Sequence, residues 1–281
     1  MKLLVTGGLG FIGLNYVLAN HDKHEITVID KQTYASNPVS YLPENVEFIH
    51  ADIRSVNKLS IPNDFDWIVH FAAESHVDNA LIDATPFWES NVQGTYELTV
   101  FALNHKIKFF HISTDEVFGE WKEGEKFFTE KSAYLPNNMY SISKATSDKI
   151  VCTQNRNHGL EYIITNCGNN YGSYQHPEKF IPKVLTGKVT LHAGGKAVRD
   201  WIYVGDHVKA IEKAMNGPIN EQYVVSSRDA MTIQEVCELA GCEFDYGDNR
   251  PGVDVGYRLN PLKLERLGWR PEMRLEQWLK S

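Results

Sequence analysis

Two sets of side chains in this sequence have the types and spacing to do chemistry. Tyr140 and Lys144 stand four residues apart in the run Tyr-Ser-Ile-Ser-Lys, so on a helix they share one face. A phenol with its ordinary pKa of ~10 is a poor base at neutral pH, but a nearby ammonium favours the phenolate. The phenolate can take the proton of a secondary alcohol while hydride leaves the same carbon. Upstream, Ser113-Thr114-Asp115-Glu116 sets two carboxyl groups side by side. One can give a proton and the other take one, which is what an elimination needs. Thr114 can add a hydrogen bond to the oxygen being oxidised. Neither set means much alone, because Tyr-x-x-x-Lys arises by chance in many helices and most Asp-Glu pairs belong to acidic loops.

Both sets need an ordered scaffold. Apolar runs of strand length at 2–6, 25–30, 46–50, 67–71, 108–113 and 162–166 alternate with helical patterns. This predicts parallel βαβ units with helices on both faces of a sheet. Helices are expected over 87–103, led by Pro86, and over 141–155. Adjacent side chains on a regular strand point to opposite faces, so Asp115 and Glu116 can serve one site only if the chain has left the strand by then. Gly119 permits such a departure. Beyond Asn166 the sequence holds more Gly and Pro and shorter segments, and 169–182 reads as a substrate-facing loop.

A redox cofactor is implied by the first thirty residues. Gly7-x-x-Gly10-Phe11-Ile12-Gly13 follows the first strand and opens a helical pattern, which permits a tight turn and close approach of backbone amides to a pyrophosphate. Asp30 ends the second strand, where a carboxylate can accept both hydroxyls of an adenosine ribose and repel a 2′-phosphate. NAD is therefore favoured over NADP, with the neighbouring Lys31 pulling the other way. Asp52 and Ile53, after the third strand, are placed to flank the adenine, although Asp52 also reads as a turn or helix cap. Ala72-Ala73-Glu74-Ser75 ends the fourth strand with small residues beside the expected cofactor path. The expected fold is α/β, a Rossmann-type doubly wound parallel sheet with a smaller carboxy-terminal substrate-binding lobe. An NAD-binding domain over 1–166 would carry the Tyr/Lys and Asp/Glu pairs, and 167–281 would be mainly the lobe, with some segments returning to the sheet.

Composition narrows the function classes. The 281 residues suffice for a full core, and 42% hydrophobic with 23% charged residues is ordinary for a globular chain. A net charge of -8 leaves no basic footprint for nucleic acid, so an anionic substrate has to meet a local cluster of Arg, Lys and backbone donors. Cys152, Cys167, Cys237 and Cys242 lack paired metal-ligand spacing, so no metal is expected, and scattered thiols suit a reducing compartment. Met1 leads straight into an apolar strand without a basic n-region, and no apolar run approaches the ~20 residues that span a bilayer. The expectation is a soluble, cytoplasmic protein with no membrane partner. His76, His111, Trp201 and Tyr203 read as packed neighbours of the site, not as ligands.

Taken in order, GGLGFIG, DKQTYASN, HFAAESHVDN, STDEVFGE, YSISKA, CGNNYGSYQHPEKFIP, RDWIYVGDH and NRPGVD resemble the extended short-chain dehydrogenase/reductase family, and within it the nucleotide-sugar 4,6-dehydratases. The resemblance covers essentially the whole chain. It implies a lyase in deoxysugar biosynthesis that oxidises C4 of a nucleoside-diphosphate hexose, eliminates water across C5 and C6, and returns the hydride to C6. dTDP-glucose is favoured, with UDP-glucose the other candidate. Tyr140 would deprotonate O4, with Lys144 tuning the phenol and holding the nicotinamide ribose, Asp115 as acid and Glu116 as base. Phe71, Ser90 and Asn170 would join the cofactor side. Ser75, Thr114, Asn169, Lys179 and Phe180 would face the hexose and loop, Thr190 and His192 the base, and Arg199 and Arg250 the diphosphate. Helices near 87–103 and 141–155 would form a homodimer. The chain departs from the family pattern at Thr190-Leu191-His192, around Asp229 and at Val253, where nucleotide contacts are expected, which leaves thymine against uracil open. A 4-epimerase and a non-catalytic NAD and nucleotide-sugar binding protein stay as alternatives, the first disfavoured by Asp115-Glu116.

Overall fold

The structure, a computed structural model, describes residues 1–248 and 254–281. Its strands are β1 (Lys2–Thr6), β2 (Glu25–Asp30), β3 (Glu47–His50), β4 (Trp67–His70), β5 (Lys108–Thr114), β6 (Tyr162–Cys167), β7 (Asn169–Tyr171), β8 (Lys188–Leu191), β9 (Val198–Tyr203), β10 (Glu221–Val225), β11 (Asp229–Thr232) and β12 (Glu243–Tyr246). Seven of them form a sheet in the order β10-β6-β5-β4-β1-β2-β3. Every pairing in it is parallel. The order reverses direction between β1 and β4, which opens a crevice at their carboxyl ends.

Alternation along the strands builds the layers. Leu3, Val5 and Phe110 pack with Tyr16, Val208 and Ile211 on one face of the sheet. Leu4, Ile68 and Phe109 pack with Leu98, Phe101 and Val151 on the other. Neighbouring residues such as Leu3 and Leu4 thus serve opposite cores, as a two-residue period requires. Burying each such side chain contributes about 1.5–3 kcal/mol. The six strands expected within 1–166 appear within a residue of their expected ends.

Two helical regions differ from expectation. The 87–103 helix begins at Thr85 and runs to His105, with a wide π-type turn over Trp88–Gly94. The 141–155 helix extends over Met139–His158 because Asn138 caps it: Asn138 Oδ1 accepts from Ser141 N at 2.8 Å and Ser141 Oγ accepts from Asn138 N at 3.1 Å. The stretch 169–182, expected as loop, contains β7 and the start of the helix Phe180–Thr186. Its pairing partner β9 is about thirty residues downstream and could not be read locally. β11, β9 and β7 form a second sheet, and β12 pairs with β8. No helix among the described residues is long and apolar enough to cross a membrane.

Candidate active site

The crevice at the carboxyl ends of β1 and β4 continues past β5 into a cavity of about 330 Å³. Its amino-terminal wall is Gly7, Gly10, Phe11, Ile12 and Gly13. Gly7 has φ +72°, and a Cβ there would lie 2.5 Å from Ala72 N. A Cβ at Gly13 would lie 2.2 Å from Gly7 O. Only glycine lets the turn after β1 close against both the strand end of β4 and the helix Phe11–Asn20.

Asp30 is buried at the end of β2. Its Oδ2 accepts from Leu9 N at 3.0 Å, and its Oδ1 accepts from Gln32 N at 2.8 Å and Ser36 Oγ at 3.2 Å. The carboxylate is therefore oriented before any ligand arrives. Lys31 Nζ donates to Ser90 Oγ at 2.8 Å and pairs with Glu74 at 3.3 Å, so its charge is already met inside the protein. Phe71, Ala72, Ala73, Ser75, Ser90, Ile53 and Asn170 line the same cavity. A glycine-lined helix start, an oriented carboxylate and an internally paired lysine fit a dinucleotide whose adenosine ribose bears free hydroxyls. Asp52 lies off this lining. It caps the short helix Ile53–Lys58 by accepting from Arg54 N at 2.9 Å and pairs with the Arg54 guanidinium at 3.0 Å.

Beyond the dinucleotide end, four titratable side chains and Thr114 meet. β5 ends at Thr114, and Asp115–Phe118 is a single 3₁₀ turn, so Asp115 and Glu116 both reach the cavity. Gly119, at φ +83°, ends the turn where a Cβ would lie 2.3 Å from Leu135 O. Tyr140 and Lys144 enter from the first turns of Met139–His158. The cap residue of that helix joins the two sets, since Asn138 Nδ2 donates to Glu116 Oε2 at 3.3 Å.

Burial governs the charge states here. It holds the Asp115 carboxyl well above the usual carboxylate range, helped by the charges of Glu116 and Asp200 and opposed by a hydrogen bond from Thr114. Glu116 is raised too, by burial, against its Asn138 hydrogen bond and the charge of Arg199. Burial pulls the Lys144 ammonium down to about 8, with Asp148 and then Cys167 acting in the opposite sense. Its Nζ donates to Ile112 O at 2.7 Å. The Tyr140 phenol departs from the expected direction. Burial and then the Glu116 charge push it above the usual tyrosine range, and only the Thr114 hydrogen bond works against them. Asp115 Oδ2 and Asn169 Oδ1 are buried without a hydrogen-bond partner among the described residues. Polar atoms left this way inside a cleft mark where a polar ligand docks.

Residues 4–281 match the family described as GDP-mannose 4,6 dehydratase. The chain belongs to that family. The dTDP-glucose 4,6-dehydratase of Mycolicibacterium smegmatis is 39% identical, over 97% of this chain and 88% of the relative. The crystal structure of the dTDP-glucose 4,6-dehydratase DesIV from Streptomyces venezuelae, solved with NAD bound, superposes with a TM-score of 0.92 at 37% identity, covering 100% of this chain and 96% of that one. The NAD complex of Thermus thermophilus UDP-glucose 4-epimerase superposes nearly as well, with a TM-score of 0.89 over 100% of this chain and 97% of that one, at a lower identity of 28%. Family membership thus settles the scaffold, and the side chains in the cavity separate its chemistries.

The remaining expected residues are dispersed. Asn169 and Lys179 line the cavity, and Lys179 Nζ donates to Ser75 O at 3.2 Å. Phe180 stacks on Trp201, with ring centroids 5.8 Å apart, outside the lining. Arg199 lies over the Tyr257 ring at 4.8 Å and donates to Asp254 O at 3.0 Å. Thr190 and His192 stand at the β8–β12 edge, where His192 Nδ1 lies 2.5 Å from Asp248 O. Asp229 accepts from Leu275 N at 2.7 Å at the start of the last helix. Arg250 and Val253 lie outside the described residues.

Several cavity residues had not been expected. Tyr34, His176 and Glu178 close one side next to His76, which was read as a neighbour of the site, with Tyr34 donating to Glu178 Oε1 at 3.1 Å. Cys167 forms part of the floor. The Gln-His-Pro-Glu run held the only local signal for this group. The contribution of Tyr34 needed the tertiary pairing, since it is 144 residues from Glu178.

Proposed function

We propose that this enzyme carries out NAD-dependent 4,6-dehydration of a nucleoside-diphosphate hexose, with dTDP-glucose as the substrate, giving the 4-keto-6-deoxy sugar. The observation that carries the reading is the joint presence of Asp115 and Glu116, both raised in pKa and both lining the cavity that holds Tyr140 and Lys144. An epimerase needs only the second pair. NAD, when bound, supplies the hydride acceptor for C4 and the donor for C6.

The chain's own residues handle the protons. Tyr140 takes the proton of the C4 hydroxyl, Thr114 donates a hydrogen bond at that oxygen, and Lys144 supplies the positive charge that favours phenolate. The resulting 4-keto group acidifies the C5 hydrogen, which Glu116 removes, and C5 regains a proton as the hydride returns to C6. Asp115, whose burial beside other carboxylates favours its protonated form, gives its proton to the departing C6 hydroxyl. Asp30 holds the adenosine ribose, with Gly7, Gly10 and Gly13 at the pyrophosphate. Lys179, Arg199 and Arg250 serve the substrate diphosphate and loop, and Thr190 and His192 serve the base.

The enzyme acts as a cytoplasmic homodimer in this reading. Tyr96, Val100, Leu103 and Ile150 line a groove between the helices Thr95–His105 and Met139–His158, and Tyr96 is 49% exposed. A second copy of this pair of helices would complete a four-helix contact. A light-scattering mass near one chain would overturn the dimer.

Incubation with dTDP-glucose and with UDP-glucose, followed by mass spectrometry, tests the activity. Loss of one water from either supports dehydration and identifies the preferred base. Formation of the galactose isomer with no loss of mass would replace the reading with epimerisation.

A further inference from the structure

Behind Lys144 lies a buried polar cluster that the steps above do not use. Asp148 follows Lys144 by one helical turn on the same face of Met139–His158 and is 1% exposed. Its Oδ2 accepts from Tyr134 OH at 2.7 Å and from Asn166 Nδ2 at 3.2 Å. Its Oδ1 faces His111 Nε2 at 3.2 Å. Asn166 Nδ2 also donates to Thr114 O at 3.1 Å, and Gln222 Nε2 donates to Asn166 Oδ1 at 2.6 Å and to Tyr134 OH at 2.9 Å. The cluster therefore ties the helix bearing Lys144 to the strand end that precedes Asp115. A buried carboxylate held by this many donors is costly to assemble unless its charge is used.

The ammonium of Lys144 makes its hydrogen bond with Ile112 O, and Asp148 acts on it through space. This spares the lysine's remaining N–H groups for the cleft, which a direct ion pair would have consumed. The other groups that feel Lys144 are His70 on β4, His111 on β5 and Cys167 on β6. Burial keeps both histidines neutral and the thiol protonated at neutral pH. Around Asp148 stand His111, Lys144, Tyr134 and, on its own helix, Cys152. The Asp148 carboxyl is held below the usual range despite its burial. It is thus the ionised counter-charge of this cluster.

We propose that Asp148 is a positioning residue for the oxidation step, a sequestered carboxylate that keeps Lys144 charged without occupying its hydrogen-bonding positions. The inference rests on the assignment of Tyr140 and Lys144 above. Wild-type water loss from dTDP-glucose tests that assignment, and a change of pH profile between variants tests this one.

The experiment compares kcat across pH for wild type, Asp148→Asn and Asp148→Glu as NAD-loaded enzymes. Losing the carboxylate charge makes Lys144 give up its proton more readily, so the alkaline limb of Asp148→Asn should move to lower pH by about one unit. At pH 8 its kcat should fall about fivefold, with KM for the nucleotide sugar within twofold of wild type. Asp148→Glu, which keeps the charge, should restore the limb. A purely structural residue would lower activity equally at every pH and leave the limb in place, which would overturn the proposal, as would a wild-type profile for Asp148→Asn. Should Asp148→Asn not fold, Asp148→Ser also removes the charge while keeping a hydroxyl for the Tyr134 and Asn166 donors, and should move the alkaline limb to lower pH in the same sense. An unmoved limb in that variant overturns the proposal equally.

Discussion

The two pairs to which catalysis is assigned above sit in one cavity, yet burial bears differently on the roles proposed for them. On the turn after β5 it raises Asp115 toward the protonated state an acid needs, and raises Glu116 as well. On the helix Met139–His158 it raises Tyr140 and lowers Lys144, and so opposes the phenolate and ammonium that oxidation needs. The acid of the elimination pair therefore needs little beyond the fold itself, while burial of its partner Glu116 is opposed by the Asn138 hydrogen bond and the Arg199 charge. The oxidation pair needs added charge, from Asp148 behind it and from its ligands in front. One low-dielectric pocket can host both chemistries only if one of them is supported from outside the pocket.

The largest test of this contrast is Tyr140→Phe, which should cut formation of the 4-keto product by ~10²–10⁴-fold with no transient near-ultraviolet absorbance from reduced nicotinamide. Asp115→Asn should break the other pair, lowering product formation by ~10²-fold while that absorbance now accumulates, because oxidation still proceeds and elimination stalls. Equal silence from both variants would dissolve the distinction.

Asp115→Asn also carries a stability signature. The folded pKa of Asp115 is raised above its unfolded value, so its contribution is full below the unfolded carboxylate pKa and is lost as pH rises through the folded one. The asparagine should escape that loss, and its gain in Tm over wild type should be larger at pH 8 than at pH 4. A gain independent of pH would contradict the buried-acid assignment.

Gly13→Ala moves the platform beneath both pairs. With a Cβ 2.2 Å from Gly7 O it should cost about 1–3 kcal/mol of stability in urea unfolding and weaken NAD binding measured by calorimetry. Unchanged values for both would show that the turn yields. The smallest effect is expected at His192→Ala, at the β8–β12 edge, which should raise KM for the nucleotide sugar a few-fold and leave kcat unchanged. A fall in kcat would tie that edge to the chemistry.

The amino-terminal half was legible because its signals are local. Strand alternation, the glycine turn, Asp30 at a strand end and Tyr140 near a helix start each occupy a few residues, and the parallel pairings follow from their sequence. The direction of the Tyr140 shift was not legible, since it depends first on burial of the phenol and then on Glu116 lying near, and both follow from a turn and a helix cap meeting across tertiary space. β7 was missed because three residues read as loop until β9 pairs with them. The carboxy-terminal third gave the weakest reading. Its short β8 and β12 have no stabilising pattern of their own, and Arg199 turns toward Tyr257 and Asp254 through contacts that no spacing announces.

The place of β10 in the sheet bears on how the chain is made. It lies outside β6, paired with it from Ile163 to Cys167, although more than fifty residues separate them in sequence. During synthesis the first six strands can assemble while β6 still shows an unpaired edge rich in β-branched residues. A nascent chain halted near residue 200 would present that edge to its neighbours on other ribosomes, and release of Glu221–Val225 is what closes it.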